Sequence, residues 1–245
     1  MEKKPAWNNT CNRFVAFLDI MGFRDRVFRE SHEDMMEMFV SLRPTIKTIE
    51  TFAKVASRSK KIAIVKPIIF SDSIILVSND DSKNAFEWIL FDSQWILYNA
   101  ILQGIPIKGA IAYGKQTADF KESLHFGKPL IDAYELQNEL KLYGVVLHHT
   151  VEKSLNEFKV IDSFLDTSVI KMLVPMKSGK ITHYIVNWTQ ITTNKHFEPI
   201  DLVTQLYNNV SGSPRKYVDN TMEFVRWVTE KKTEIKQGNK KINKV

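Results

Sequence analysis

The sequence predicts an α+β fold built on an antiparallel-rich sheet, and two observations support this prediction. Short apolar stretches alternate with longer segments of helical periodicity, in the order β α ββ α β α β followed by a late hairpin. Some of the strands also follow one another directly, as in residues 62–78, which favours antiparallel pairing over crossover connections. The chain has 245 residues, of which 44% are hydrophobic, so it is long enough to bury a substantial core.

The centre of this sheet is expected at residues 14–23, FVAFLDIMGF, where an apolar strand ends in Asp19 and Gly22 follows three residues later. A strand that is apolar on both faces is typical of the middle of a sheet, where an unpaired charge is costly. Gly22 allows a sharp turn, and a helix is expected to begin at Phe23. Strand, carboxylate, turn and helix start suit a metal ion with phosphate behind it, because the first N–H groups of a helix can bind an anion. The alternative is a buried aspartate that caps the helix.

The other predicted elements follow the same pattern, and their order predicts a ferredoxin-like arrangement with additions. They are a helix at 23–55 kinked or divided by Pro44, strands within 62–78, a helix at 84–102, a strand at 106–114, a polar loop at 117–123, a helix at 126–141, a strand at 143–149, a helix at 151–158, a hairpin of 173–176 with 181–188, and a helix at 214–235. Residues 1–12 are expected to be a loose leader, residues 13–190 the main domain, residues 191–236 a helical extension and residues 237–245 a basic tail.

A second aspartate, Asp72, lies in the predicted turn of the hairpin within residues 62–78. In a β-α-β-β arrangement the first strand and this hairpin are neighbours, so Asp19 and Asp72 are expected to meet at one edge of the sheet. Two carboxylates in that position repel each other unless one is protonated or cations lie between them. A pair of divalent ions there could activate an attacking oxygen and neutralise phosphate charge. Alternatively, each aspartate caps a turn.

Composition limits the classes of function. The formal net charge of +6 suggests an anionic partner, but much of the excess lies in residues 231–244, and no nucleic-acid-binding motif supports such a partner. No apolar stretch is long enough to span a membrane, and the first ten residues lack the apolar segment of a secretory signal. Because Cys11 is the single cysteine, no internal disulfide can form. We therefore expect a cytoplasmic protein without a membrane partner.

Five motifs resemble, in order and approximate spacing, the class III nucleotidyl cyclase catalytic domain: FLDIMGF, FSDSI, IKGAIAYG, FGKPLIDAYELQ and GKITHYIVNW. The resemblance extends from about residue 14 to residue 188. It implies a head-to-tail homodimer that converts a nucleoside triphosphate to its 3′,5′-cyclic monophosphate and pyrophosphate, with two Mn²⁺ or Mg²⁺ ions in each site. The residues that it assigns are Asp19, Asp72 and the main-chain carbonyl of Ile20 as metal ligands, and either Lys177 or Lys180 as a phosphate-binding group. The turn before the helix adds the amides of Met21, Gly22 and Phe23 as expected phosphate-binding groups.

The sequence also departs from this family at the positions that read the base and stabilise the transition state. The two purine-reading positions are occupied by Ile68 and Leu124, which cannot form a hydrogen bond with a purine edge. The positions of the usual asparagine and arginine are occupied by Ile131 and Glu135. Loss of that arginine removes a charge that stabilises the transition state, so another cation must replace it if the site is active. The candidates are Lys108, Lys115, Lys128 and Arg24.

These departures resemble a divergent bacterial branch that includes the pyrimidine cyclases of anti-phage systems, also called Pycsar systems. This resemblance implies a cytoplasmic homodimer that makes cyclic UMP or cyclic CMP as a second messenger in defence. A purine cyclase and a catalytically silent nucleotide sensor with the same fold remain open alternatives. A nucleic-acid-binding module is supported by charge alone.

Overall fold

The computed structural model describes residues 7–56, 64–159, 168–191 and 198–242, and within them eight strands form one sheet. The strands are β1 (Thr10–Ile20), β2 (Val65–Phe70), β3 (Ser73–Ser78), β4 (Ile107–Asp119), β5 (Leu124–Gly127), β6 (Val145–Leu147), β7 (Val169–Met176) and β8 (Gly179–Val186). The helices are α1 (Phe23–Arg29), α2 (His32–Ala56), α3 (Lys83–Leu102), α4 (Lys128–Glu139), α5 (His149–Glu157), α6 (Pro199–Gln205) and α7 (Arg215–Ile242), with 3₁₀ turns at Trp188–Gln190 and Leu206–Asn209. All strand pairs are antiparallel except β4 with β6, which confirms the predicted α+β class.

Strand β1 lies in the interior of the sheet, as its apolar sequence predicts, in the strand order β2-β3-β1-β4-β6-β8-β7 with β5 added to β4. Both of its faces are covered. Phe14 contacts Phe86 of α3, and Phe17 contacts Tyr134 of α4. Because successive strand residues point to opposite faces, α3 and α4 lie on opposite sides of the sheet. We call the side that carries Phe17 and Asp19 the α4 face.

Helix α7 packs against the segment that joins α4 to β6. The side-chain amide of Asn220 donates to the carbonyl oxygen of Lys141 at 2.6 Å, and the N–H of Tyr143 donates to the Thr221 hydroxyl at 2.9 Å. The same segment is joined to β4, where the N–H of Gly109 donates to the carbonyl oxygen of Gly144 at 2.8 Å. Helix α7 is thereby fixed beside the start of β4 and β6.

Among the described helices, none has the length and apolar character needed to cross a bilayer.

Of the two expected effects of Pro44, a kink or a division of the first helical region, the division is wrong. The helix breaks instead at Ser31, whose hydroxyl exchanges hydrogen bonds with Asp34: Ser31 Oγ donates to the carboxylate at 2.6 Å and accepts from the Asp34 N–H at 3.1 Å. This exchange is an N-terminal cap for α2. Pro44 lies inside α2, between the buried side chains of Leu42 and Ile46, and their burial in the core holds the helix together across the missing hydrogen bond.

The predicted polar loop at 117–123 is partly a strand, and the preceding β1 is longer than predicted. Strand β4 continues to Asp119 and pairs with β5, so α4 begins at Lys128 rather than at residue 126. Residues before 14 also pair with β4, with Thr10 opposite Thr117. The polar side chains in this region lie on a paired backbone, which hydrophobic periodicity does not detect.

A buried carboxyl in α3 has a consequence for stability. Asp92 is fully buried, and neither of its oxygens has a hydrogen-bond partner among the residues that the structure describes. Burial raises the pKa of this carboxyl from 3.8 to about 8. The neutral acid is therefore the form that the folded protein accommodates at pH 7.

We expect the free energy of unfolding to fall as pH rises from about 4 to about 8, because the unfolded chain ionises Asp92 over this range and the folded chain does not. Asp92→Asn is expected to remove this dependence and to stabilise the protein by on the order of a few kcal/mol at pH 8, with little effect near pH 4. Denaturant unfolding at both pH values measures the effect, and Asp201→Asn at an exposed position is the matched control. A variant that is less stable than the wild type at pH 8 would contradict the expectation.

Candidate active site

Asp19 and Asp72 lie together where β1 ends and the β2–β3 hairpin turns. In the antiparallel register, Asp19 is opposite Ser73, the residue that follows Asp72. The N–H of Ile20 donates to the carbonyl oxygen of Asp72 at 2.9 Å, which joins the hairpin turn to the end of β1. Both carboxylates are half-buried. The structure thus brings the two predicted acidic residues into one site, although they are far apart in the sequence.

The electrostatics of this pair favour a bound cation. Burial, and then repulsion from Asp72, raise the pKa of Asp19 from 3.8 to about 6, while Lys108 acts in the opposite direction. Within the described parts of the chain, neither carboxylate forms a hydrogen bond or an ion pair. No group of three or more His, Cys, Asp or Glu side chains that could hold a metal occurs among the described residues. The donor set is therefore two carboxylates with the nearby carbonyl of Ile20, which fits hard divalent ions that take their remaining oxygens from substrate and water.

Loop residues 21–23 connect this pair to α1. Gly22 adopts a left-handed conformation with φ of 73°, as the turn requires. The Met21 N–H donates to the carbonyl oxygen of Pro106 at 2.8 Å, so this predicted phosphate donor is already engaged. The N–H groups of Gly22 and Phe23 remain as the candidates at this position. Helix α1 has only seven residues, so its contribution would come from these individual groups rather than from a long helix dipole.

Of the four cations considered as replacements for the missing arginine, Lys108 is the one whose charge acts directly on the Asp19 carboxylate. It is opposite Asp19 in the β1–β4 register and is almost fully buried. Burial lowers its pKa to about 8, with opposing effects from Asp19, which raises it, and from Lys177 and Lys141, which lower it further. At pH 7 the ammonium therefore remains largely protonated. The Lys108 Nζ also lies 6.0 Å from the centroid of the Tyr217 ring on α7.

The late hairpin offers two lysines, and their surroundings differ. Lys177 is close enough to act on Lys108 electrostatically, and its ammonium lies 3.6 Å from Glu139 at the end of α4. Lys180 instead donates to Glu223 on α7 at 3.0 Å. The sequence did not decide between the two lysines. Their surroundings favour Lys177 as the phosphate-binding candidate within one chain, because it is the one that acts on Lys108.

The remaining replacement candidates have other neighbours. Lys128 donates to Asp132 at 2.6–2.7 Å, and Arg24 lies over the Phe28 ring, 5.9 Å from its centroid. Lys115 is opposite Asn12, seven residues along β4 from Lys108. Lys108 is the member of this group for which the structure supports a role beside Asp19.

The two predicted base-reading positions differ in their relation to the aspartates. Ile68 is on the edge strand β2, on the same face of the sheet as Asp19 and four residues before Asp72. Leu124 begins β5, opposite Asp119 at the far end of β4 from Lys108. Ile131 and Glu135 are exposed on the outer side of α4. Of the two base-reading positions, Leu124 is therefore the one that is remote from the aspartates.

A cavity of about 1080 Å³ adjoins the loop that follows β1. Its lining includes Met21, Gly22, Tyr143 and Tyr217 but neither Asp19 nor Asp72. The two carboxylates therefore lie outside this cavity.

We expect the affinity of the metal-free protein for Mn²⁺ to fall as pH decreases through about 6, because protons compete for Asp19. Binding at pH 5 should be weaker than at pH 7 by about 10-fold, the loss expected when one ligand is protonated. Calorimetric titration with Mn²⁺ at the two pH values measures this difference. An affinity that does not change with pH would rule out Asp19 as a ligand.

Solved structures of other proteins have the same fold as this chain. The catalytic core of a rhodopsin-guanylyl cyclase with converted specificity, solved in complex with ATPαS, is 16% identical to this chain. It superposes with a TM-score of 0.54 over 74% of this chain and 98% of its own length. The fold is that of a nucleotidyl cyclase catalytic core. The guanylyl cyclase Cya2 is 9% identical, with a TM-score of 0.45 over 79% of this chain and 99% of its own.

This likeness is one of fold. No protein-family model matches the chain, and the search of curated proteins finds no significant match. The cyclase fold nevertheless agrees with the class predicted from the five sequence motifs. The chemistry of the site is argued below from this chain's own residues.

Proposed function

We propose that this chain is a nucleotidyl cyclase that converts a nucleoside triphosphate, UTP or CTP in preference to ATP, to its 3′,5′-cyclic monophosphate. The observation that carries the proposal is the pair Asp19 and Asp72 beside the buried cation Lys108, in a chain with a cyclase fold. The 3′-hydroxyl oxygen attacks the α-phosphorus and its proton is lost to solvent. The bond from the α-phosphorus to the bridging oxygen breaks, and pyrophosphate leaves with the electron pair.

Asp19, Asp72 and the carbonyl of Ile20 would hold two Mn²⁺ or Mg²⁺ ions. When bound, such ions activate the attacking oxygen and neutralise phosphate charge. The chain's own contribution is to hold two carboxylates at the sheet edge, where Asp19 is partly desolvated and therefore favours a counter-ion. The Gly22 and Phe23 N–H groups, together with Lys177, would orient the phosphates.

Lys108 is the group that we assign to the role of the missing arginine. A buried cation opposite Asp19 stabilises negative charge more strongly than an exposed one, because water screens it less. The lysine offers a point charge rather than the two-pronged geometry of a guanidinium. It can therefore supply charge near the phosphates without reproducing bidentate contacts.

A head-to-tail homodimer would complete the site. Exposed apolar side chains lie on the hairpin tip and on the outer side of α4, where Phe70 is 77% exposed, Ile131 58% and Tyr134 48%. Apolar side chains of this size on neighbouring elements are typical of a protein interface. An inverted second copy would bring its β2 and β5 toward Asp19 and Asp72, so that the base and the phosphates of one nucleotide could be bound together.

The apolar residues at the purine-reading positions, Ile68 and Leu124, support a pyrimidine substrate, and with it a role as a second-messenger synthase in anti-phage defence. The same substitutions, together with exposed Ile131 and Glu135 on α4, also favour the second candidate, a dimeric nucleotide sensor without turnover. The two functions differ in whether a product forms.

The test is incubation of the purified chain with each of the four ribonucleoside triphosphates and Mn²⁺, with products separated by chromatography and identified by mass. We expect a cyclic monophosphate from UTP or CTP. Binding of a nucleotide without product, measured by calorimetry on the same preparation, would instead support the sensor. Neither binding nor product from any of the four would overturn both.

A further inference from the structure

A cluster of two cations and aromatic rings lies at the other end of β1 from Asp19. The guanidinium of Arg13 and the ammonium of Lys66 both lie over the Trp7 indole, at 4.8 Å and 4.2 Å from its centroid. Lys66 Nζ is also 4.4 Å from the centroid of Phe120, whose ring contacts Trp7 edge-on. Trp7 is anchored by its indole N–H, which donates to the Ala118 carbonyl at 2.8 Å.

The positive charge of this cluster is not balanced within the described residues. Arg13 is fully buried, and it donates to the main-chain carbonyls of Asn8 and Ser78 and to the Cys11 sulfur. Its Nε has no partner there. Lys66 is half-buried and has neither an ion pair nor a hydrogen-bond acceptor in the described part of the chain. Burial and then the nearby Arg13 lower the pKa of Lys66, as expected for two adjacent cations without a counter-charge.

The cluster adjoins the predicted base-reading position on β2. Lys66 is two residues before Ile68, so both side chains lie on the same face of the strand. Through the β2–β3 and β1–β3 registers, this is the α4 face, which also carries Asp19. From β5, His125 contacts the Phe120 ring at 5.0 Å, and its buried Nδ1 lacks a partner among the described residues. Polar groups without partners from three elements therefore surround one partly apolar surface.

We propose that Lys66, whose ammonium lies over both the Trp7 and the Phe120 ring, reads the base of the substrate by donating to a pyrimidine carbonyl oxygen. The proposal rests on the cyclase function and head-to-tail pairing proposed above, and it names the residue that determines their base specificity. An ammonium offers only donors. Uracil and cytosine both carry a carbonyl oxygen at C2, whereas adenine accepts hydrogen bonds at ring nitrogens, so Lys66 would distinguish the bases by where the acceptor lies. The aromatic walls favour a planar ring over a fully hydrated phosphate.

The experiment measures kcat/KM for UTP, CTP and ATP in the full chain, with thermal unfolding of each variant. Lys66→Met keeps an unbranched apolar stem against the two rings and removes the donor, and Lys66→Arg restores a donor. Lys121→Met is the matched control, because the side chain of Lys121 is 90% exposed in the adjoining turn. We expect Lys66→Met to lower kcat/KM for the preferred pyrimidine by about 10- to 100-fold, the usual effect of losing a charged hydrogen bond, with little change for ATP. Lys66→Arg should recover part of the preference.

The melting temperature separates this role from a purely structural one. Because Lys66→Met removes repulsion from Arg13, we expect the variant to be at least as stable as the wild type, whereas a structural clamp would lose stability. Equal losses for UTP, CTP and ATP would overturn the proposal, as would weaker binding of inorganic triphosphate, which would indicate a phosphate site. If the wild type forms no product from any nucleotide, the proposed cyclase function is wrong, but the role of Lys66 in base recognition is not yet tested. The affinities of wild type and Lys66→Met for UTP and ATP, measured by calorimetry with Mn²⁺, then test the base-reading role separately.

Discussion

Replacing Asp19 or Asp72 with asparagine is expected to lower cyclic nucleotide formation by at least about 1000-fold, because each substitution removes one of the two carboxylates that would hold the catalytic ions. The variants should remain folded. Burial and repulsion from Asp72 already disfavour the charged form of Asp19 in the metal-free protein, so a neutral amide relieves that cost. The assay is product formation with Mn²⁺ at pH 7.5, accompanied by thermal unfolding with and without the metal.

Metal binding should also be lost in these two variants, and thermal unfolding with and without Mn²⁺ measures that loss. Mn²⁺ is expected to raise the melting temperature of the wild type and to have little effect on Asp19→Asn or Asp72→Asn, since a ligand stabilises only the state that binds it. Asp201→Asn, an exposed carboxylate on α6, is the control and should retain both activity and metal stabilisation. Activity that survives in both Asp19→Asn and Asp72→Asn would contradict the two-metal proposal.

Replacing Lys108 with methionine is expected to lower kcat by about 100-fold, because it removes the buried positive charge beside Asp19 that would stabilise phosphate charge in the transition state. Methionine preserves most of the length and apolar character of the lysine stem, so packing is largely retained. The substitution also removes a cation that lowers the pKa of Asp19. The Lys108 ammonium also repels a divalent ion at Asp19 more strongly than it repels a proton, so Mn²⁺ binding at pH 6 should be tighter in Lys108→Met than in the wild type.

Two further variants identify what Lys108 contributes. Lys108→Arg keeps the charge and should retain more activity than Lys108→Met. Lys180→Met removes a hairpin lysine that donates to Glu223 rather than acting on Lys108, and we expect only a small effect on kcat. If Lys108→Met had wild-type kcat and unchanged Mn²⁺ affinity at pH 6, Lys108 would have no catalytic role and the missing arginine would need another replacement.

The sequence predicted most of the elements that form the site, but it placed some of their boundaries wrongly. Pro44 was expected to kink or divide a helix. The helix continues through Pro44, because burial of Leu42 and Ile46 outweighs the local preference of proline against a helix interior. The Ser31–Asp34 cap gave a sequence signal for the true break: a serine followed three residues later by an acidic residue, which resembles a capping motif. The strand at Leu124–Gly127 was missed because it is short and is stabilised by pairing with β4 rather than by apolar periodicity.

The cation and aromatic cluster around Lys66 was missed for a similar reason. Residues 1–12 were expected to be a loose leader, yet the Trp7 ring contacts Arg13 on β1, Lys66 on β2 and Phe120 in the β4–β5 turn. A tryptophan in a polar segment was the available signal, since large aromatic side chains are usually packed. Its partners could not be identified from spacing, because they come from three separate parts of the chain.

What the sequence by itself determined is local: apolar strands that end in Asp19 and Asp72, the glycine turn at Gly22, and the α+β class. These features follow from side-chain periodicity and backbone preference over a few residues, which a single stretch of sequence contains. Only the tertiary structure decided that Lys108 is opposite Asp19 and that Lys177 rather than Lys180 acts on Lys108. It also decided that the Lys66 ammonium lies over two aromatic rings, two residues before Ile68. Strand register and the packing of distant segments set these relations, and neither is a property of any one stretch of the chain.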